Sequence, residues 1–274
     1  MHTINCKGRL ISLEEPLVMG IINTTTDSFF ADSRHSSISL VLKSVEKMLQ
    51  NGATILDIGG QSTRPGHILH SEEHEIKSVV PAIEAIANHF PDAIISVDTY
   101  RSKVASLACD AGASIVNDIS GGYDPDMFAV VAQKKAVYIL MHLIGTPETM
   151  HQPHEYQHII TEIIQYFVHK IDLCKHAGIK DIILDIGIGF SKTIEENFFL
   201  LKNLECFKML EKPLLIGLSR KSFIYKSLGI TADEALTGTT ALHFHALNNG
   251  ANIIRVHDVK EATELVKLNN FMHK

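Results

Sequence analysis

One phrase recurs four times along this chain: "NGATILDIG" at 51–59, "AGASIVNDIS" at 111–120, "AGIKDIILDIG" at 177–187 and "NGANIIRVHD" at 249–258. Each opens on a glycine (Gly52, Gly112, Gly178, Gly250) where a helix should stop, since a residue without Cβ takes the left-handed conformation after a helix at least cost. Each then continues into an apolar, β-rich run. Successive phrases start at 51, 111, 177 and 249, intervals long enough for two strand-helix units of roughly 30 residues each. The rhythm therefore calls for four more strands between and before the phrases.

Those strands are present as "LVMGII" at 17–22, "AIISVD" at 93–98, "AVYILM" at 136–141 and "LLIGL" at 214–218. Their near-continuous apolar character suits parallel strands covered on both faces. Between them lie helical stretches: Ile38, Val41, Leu42, Val45, Met48 and Leu49 share one face, as do Ile76, Val79, Val80, Ile83 and Ile86. A strand-helix unit repeated eight times reads as a single (βα)8 TIM barrel occupying residues 1–274. An open doubly wound sheet is the alternative. The first 16 residues stand outside the repeat, and "INCKGRLISL" is expected to form a short hairpin closing the bottom of the barrel. A barrel of this size would fill the 274 residues given, so no second domain is expected within them.

Composition narrows the function. The formal charge is −6, from 25 Lys and Arg against 31 Asp and Glu, and the basic residues are scattered, so nucleic acid is not an expected partner. No run of 18 apolar residues or apolar signal core occurs, which leaves the cytoplasm as the expected location and no membrane partner. Cys6, Cys109, Cys174 and Cys206 are far apart in sequence and are expected to be reduced.

A barrel of this kind carries its chemistry at the C-terminal strand ends. There the sequence places Asn23, then Thr63 and Arg64 in "GGQSTRPG", Asp98, Asn117 and Asp118, Met141 and His142, Asp185, Arg220 and Lys221, and finally Arg255 and His257. For any one of them helix capping is the plain alternative, Asp98 before "TYRSK" being an example. Capping does not explain so many polar strand ends. Asp98, Asp185 and Asn117 suit a flat heterocycle rich in N–H groups, because buried polar atoms left unmatched cost about 1–3 kcal/mol each. Thr63, Arg64, Arg255 and His257 suit an anion such as phosphate.

The stretches "MGIINTTTDSFFAD", "GGQSTRPG", "SVDTYR", "VNDISGG", "LMHLIGTPETM", "LDIGIGFSKTIEEN", "GLSRKSFI" and "IIRVHDV" follow one another along nearly the whole chain. In that order the chain resembles the dihydropteroate synthases of the folate pathway. The resemblance implies a TIM barrel that joins 6-hydroxymethyl-7,8-dihydropterin diphosphate to 4-aminobenzoate, with diphosphate leaving before the amine attacks. It also implies that Asp98, Asn117 and Asp185 hold the pterin ring, with Lys221 at its carbonyl and Met141 and Gly217 lining the slot. Asp98, Asp185 and Lys221 are the expected catalytic groups. Asn23 would bind Mg²⁺ together with the diphosphate, and Thr63, Arg255 and His257 would hold the diphosphate itself. Arg64, Pro65, Phe190 and Ser222 complete the expected substrate contacts, with Pro65, Phe190 and Ser222 shaping the aminobenzoate pocket. A homodimer formed through helices late in the barrel is implied as well.

The chain departs from the family pattern in two places. Thr26 stands where a proline is usual, with Phe30 and Ala31 following Phe29, and Asp185-Ile186-Gly187 replaces D-P-G. Loss of a residue that fixes φ near −65° is expected to loosen the first loop. Other motifs have blander readings. "HSEEH" at 70–74 matches an inverted zincin pattern without a third ligand and is expected to be a solvated helix start. "GIGFSK" at 187–192 lacks the spacing of a phosphate loop and reads as a tight turn over the site. His142 is either a base or a packed core residue, and Arg220 either braces loops or touches substrate. Two other activities fit part of the pattern: a pterin-binding methyltransferase, against which Arg64, Lys221 and the final R-x-H argue, and a non-catalytic pterin-binding relative.

Overall fold

In the computed structural model, which describes residues 2–24, 34–61 and 70–273, eight parallel strands close into a barrel. Two short strands, β1 (Thr3–Cys6) and β2 (Arg9–Ser12), precede it as an antiparallel pair. The barrel strands are β3 (Leu17–Asn23), β4 (Ile55–Gly59), β5 (Ile94–Asp98), β6 (Ile115–Asp118), β7 (Val137–Met141), β8 (Ile182–Asp185), β9 (Leu214–Gly217) and β10 (Ile253–Val256). Each pairs with its neighbour in sequence, and β10 closes the ring on β3 through Ile253–Leu17 to Val256–Gly20. The open-sheet alternative is thereby excluded.

Among the described residues nine α-helices fill the connections. They are α1 (Arg34–Gln50), α2 (Glu72–His89), α3 (Ser102–Ala111), α4 (Met127–Lys134), α5 (Ile159–Ala177), α6 (Ile194–Lys202), α7 (Ser222–Leu228), α8 (Leu236–Asn248) and α9 (Val259–Met272). The four phrase glycines all have positive φ, from +94° at Gly178 to +139° at Gly112, as their place after a helix requires. No described helix is long and apolar enough to cross a membrane.

Side chains of a strand alternate between its two faces. On β4, Leu56 and Ile58 pack outward against the helices while Ile55 points inward; on β5, Ile95 and Val97 point outward and Ile94 inward. The inward set forms an apolar layer of Met19, Ile55, Ile94, Ile115, Val137, Ile183, Leu215 and Ile253 at the lower end. The hairpin seals it from below with Ile4, Cys6, Ile11 and Leu13, all buried, as the sequence had suggested. Its two-residue loop, Lys7-Gly8, has φ of +50° and +89°, the left-handed pair that matches strand twist in a tight hairpin. Full burial of one such isoleucine contributes about 1.5–3 kcal/mol.

Moving up each strand by two keeps the side chain inside, so the same parity fixes the polar layer. It places Asn23, Asp57, Asp98, Asn117, Met141, Asp185, Gly217 and Arg255 on the inner face above the apolar plug. Asp118 is one step out of phase. It faces outward, where Oδ2 accepts from the Tyr138 hydroxyl at 2.7 Å and the Gly122 N–H at 2.8 Å, so it is a brace between strand and loop and no part of the expected ring. Capping does not account for Asp98 either. The first N–H of α3, at Ser102, is accepted by Asp124 Oδ2 at 2.8 Å.

Candidate active site

A cavity of about 400 Å³ opens above the polar layer. The barrel strands contribute Ile21, Asn23, Asp98, Gly217 and Arg255 to it; the loop after β8 contributes Gly189 and Phe190, and the β9–α7 corner contributes Ser219, Arg220, Lys221 and Ser222. His257, just past β10, also lines it. Asn117, Met141 and Asp185 are more deeply set, with 3%, 1% and 8% of their surface exposed. Thr63, Arg64 and Pro65, like Thr26, Phe30 and Ala31, lie outside the described residues.

The polar layer is organised by one guanidinium. Arg255 donates from Nε to Asp57 Oδ2 at 2.6 Å and from Nη2 to Asp98 Oδ2 at 2.5 Å. Asp57 is fully buried and also accepts from Asn117 Nδ2 at 3.0 Å. One Asn117 N–H is thus committed, which leaves the other and the carbonyl for a ligand. The structure therefore ties Arg255 to Asp98 and, through Asp57, to Asn117. Burial alone would lower the Arg255 pKa, but Asp57 and Asp98 raise it, so it is a permanent cation.

Asp57 is the site residue that the motifs above passed over. Its Oδ1 is buried with no partner among the described residues. The signal was present: "ILDIG" at 55–59 and "ILDIG" at 183–187 carry Asp57 and Asp185 at equivalent positions of the repeated phrase.

The electrostatics set three groups near neutrality, one of them Lys192, whose pKa burial lowers to about 7, with Asp185 opposing that shift and Lys221 adding to it. Burial pushes the Asp98 carboxyl up to about 7; Arg255 pulls it down, and Asp57, Glu75 and Asp118 push it further up. Asp185 is raised by burial too, against the pull of Lys221 and of the Gly187 N–H that its Oδ1 accepts at 2.8 Å. Lys221 is lowered to about 8 by burial, with Asp185 and Asp98 opposing that shift and Arg255 adding to it. Its ammonium lies 4.3 Å from the centroid of the Phe190 ring and donates to the Ile188 carbonyl. A Cβ on Gly189, where φ is +85°, would come within 2.9 Å of Lys221 Cδ, so only glycine lets the lysine lie along this turn.

These values carry a prediction. If Asp98 is to accept from a ring N–H and Lys221 to donate to a ring carbonyl, the first must be ionised and the second protonated. kcat/KM for the ring-bearing substrate should therefore rise as pH passes about 7 and fall as it passes about 8. The profile belongs to the coupled site and not to one residue. A flat rate profile between pH 6 and 9 would contradict it.

Two ambiguous residues are resolved. Arg220, with φ of +55°, donates from Nε and Nη2 to the two oxygens of Asp258 at 2.9 Å each and from Nη1 to the Ala232 and Asp233 carbonyls. It braces loops. His142 is packed among Tyr156, Tyr166 and Phe167, and burial, together with Lys192, holds its pKa well below the usual histidine value. It is a core residue. "HSEEH" is a helix start: His70 precedes α2, Ser71 Oγ accepts from the His74 N–H, and no three metal-binding groups converge among the described residues.

On the remaining side, the Ser219 hydroxyl accepts from the His257 N–H at 3.2 Å and lies 3.1 Å from its Nδ1, which orients the ring. Asn23 is exposed at the end of β3 on the cavity lining. A single neutral oxygen fits a hard cation that keeps most of its shell from water and phosphate oxygens, as Mg²⁺ does.

Comparison with known proteins places this geometry. Residues 19–257 match the family described as pterin binding enzyme. The chain is 46% identical over 255 residues to a dihydropteroate synthase of a Synechocystis species, covering 92% of this chain and 88% of that protein. The solved structure of the Yersinia pestis dihydropteroate synthase with a sulfonamide drug superposes with a TM-score of 0.91 at 38% identity, over 99% of both chains. That of the Xanthomonas albilineans enzyme with 4-aminobenzoic acid also gives 0.91, at 33% identity, over 99% of this chain and 98% of that one.

Proposed function

The chain belongs to the pterin-binding enzymes and, within them, to the dihydropteroate synthases, and on that premise we propose how its barrel mouth performs the transfer. The reaction joins 6-hydroxymethyl-7,8-dihydropterin diphosphate to 4-aminobenzoate and releases diphosphate. The observation that carries the residue assignment is the Asp57–Arg255–Asp98 layer, with Asn117 and Asp185 beside it, at the floor of a cavity that also presents Phe190, Lys221 and Ser222.

Asp98, Asn117 and Asp185 hold the pterin ring by its N–H groups, and Lys221 holds its carbonyl, with Met141 and Gly217 at the faces. The carbon–oxygen bond to diphosphate breaks first, and its electron pair leaves with the diphosphate. The positive charge that develops spreads over the ring, where the carboxylates of Asp98 and Asp185 stabilise it without moving. The amine nitrogen of 4-aminobenzoate then forms the new carbon–nitrogen bond with its lone pair and gives its proton to solvent or to diphosphate. An aromatic amine is neutral at pH 7, so orientation is the main requirement. Phe190 and Pro65 shape its pocket, and Ser222 at the start of α7 takes its carboxylate. Thr63, Arg64 and His257 hold the diphosphate, with Arg255 between it and the ring. Asn23 would give one oxygen to Mg²⁺, and the cation, when bound, would neutralise charge on the leaving diphosphate.

Diphosphate release that depends on 4-aminobenzoate, and sulfonamide inhibition competitive with that amine alone, would support the assignment. Pterin binding with no release on adding the amine would overturn it and favour a non-catalytic relative.

The homodimer and cytoplasmic location are part of the same proposal. Phe198 and Phe199 on α6 and Leu228 on α7 leave apolar surface exposed on two helices that contact each other, which suits a second copy. Light scattering should give twice 30.3 kDa; the monomer mass would contradict the dimer. Cys6, Cys109, Cys174 and Cys206 are all unpaired, as suits a reducing compartment, and recovery from a membrane or exported fraction would contradict the location.

A further inference from the structure

The turn over the site is held from two sides by two lysines. Gly187, Gly189 and Ser191 all have left-handed φ, at +69°, +85° and +52°, so its carbonyls point in several directions. Lys221 donates to that of Ile188 from the cavity side. Lys192, only 8% exposed, donates to those of Gly187 and Phe190 at 3.0 Å each. Its third contact is His142 Nδ1 at 3.2 Å. When Lys192 is protonated, which burial makes harder by lowering its pKa to about 7, three donors meet three acceptors, the complement of an ammonium and of an imidazole protonated on Nε2 alone.

Burying a charged group is costly unless it is fully hydrogen-bonded, and a well-packed apolar side chain often stabilises a fold as much. Here the placement does something packing cannot. Asp185 accepts from the Gly187 N–H, and Lys192 takes the Gly187 carbonyl and then the Phe190 carbonyl, so a ring ligand and the aromatic ring at the arylamine are tied into one unit. The ring of Phe190 is in turn stacked on His151, centroids 5.9 Å apart, and covered by Lys221.

We propose that Lys192 is a positioning residue for the arylamine: by bonding the carbonyls of Gly187 and Phe190 it holds the 187–191 turn in the shape that presents Phe190 and Lys221 to that substrate. The proposal rests on the dihydropteroate synthase reading and assigns Lys192 no contact with either substrate. It separates Lys192 from Asp98 and Asp185, whose loss strikes ring binding first.

The test is a split in kinetic constants. Lys192→Met, matched in length but without donors, should raise KM for 4-aminobenzoate by about tenfold or more, while KM for the pterin diphosphate stays within about twofold. Lys192→Gln, which restores two N–H donors, should recover part of the loss, and it carries the test alone if the methionine variant does not fold. An amine KM within about twofold of wild type, or equal rises in both KM values, would overturn the proposal. The chain contains no tryptophan, so His151→Trp provides a single reporter beside Phe190 that needs no turnover. Its emission should shift when Lys192→Met is added, and an unchanged spectrum would count against the proposal. A wild-type protein that fails to turn over would instead refute the active-site reading, and the reporter would still decide whether Lys192 holds the turn.

Discussion

Arg255→Met should be the most damaging single change at the barrel mouth, and its damage should grow with pH. Two carboxylates depend on this guanidinium, one of them on a fully buried residue, and removing one partner of a buried ion pair costs about 3–5 kcal/mol. Without the cation that pulls it down, the buried Asp98 carboxyl escapes the penalty only by taking up a proton. A folded-state pKa raised above the unfolded value supports the fold below the unfolded pKa, and that support is lost as pH rises through the folded one. The variant should therefore be close to wild type in urea unfolding at pH 5 and clearly weaker at pH 8, with kcat/KM down roughly 10³-fold at neutral pH. Equal stability losses at both pH values would show that the cluster is not electrostatically held.

Asp98→Asn is expected to behave differently, sparing the fold and striking the ligand. Asparagine keeps the shape and a carbonyl that can still accept from Arg255 Nη2, so thermal stability should change little. A neutral amide, however, loses the charge-assisted bond to ring N–H groups and turns a donor toward them. Pterin affinity should fall about 100-fold, equivalent to about 2–3 kcal/mol, by calorimetric titration. The loss in kcat/KM should be larger than the loss in affinity, because the carboxylate also faces the charge that develops when diphosphate leaves. Unchanged pterin affinity would remove Asp98 from the ring site.

The fold was legible because a barrel repeats itself. Four glycine-headed phrases and four further apolar runs mark all eight strands, and the parity of "ILD", "SVD" and "IIR" is enough to place Asp57, Asp98 and Arg255 on one inner face. What the sequence did not show was the partnership inside that face. Arg255 stands two residues before His257, a spacing that suggests one shared anion site, and its guanidinium also lies on Asp57 and Asp98, which come from strands 198 and 157 residues away along the chain. Such pairs depend on how far a side chain reaches across the barrel, which no local pattern encodes. Asp118 shows the converse: it follows Asn117, and one step along a strand turns it out of the barrel, onto Tyr138 and Gly122. Lys192 looked like the tail of a false phosphate loop. Its three acceptors come from the folded turn and from His142, fifty residues earlier.

The most direct measurement is mass-spectrometric detection of the product after mixing the protein with Mg²⁺, 6-hydroxymethyl-7,8-dihydropterin diphosphate and 4-aminobenzoate. The assigned chemistry predicts 7,8-dihydropteroate and diphosphate in equal amounts, both abolished when 4-aminobenzoate is withheld. Full consumption of neither substrate, with the pterin diphosphate bound and intact, would contradict it.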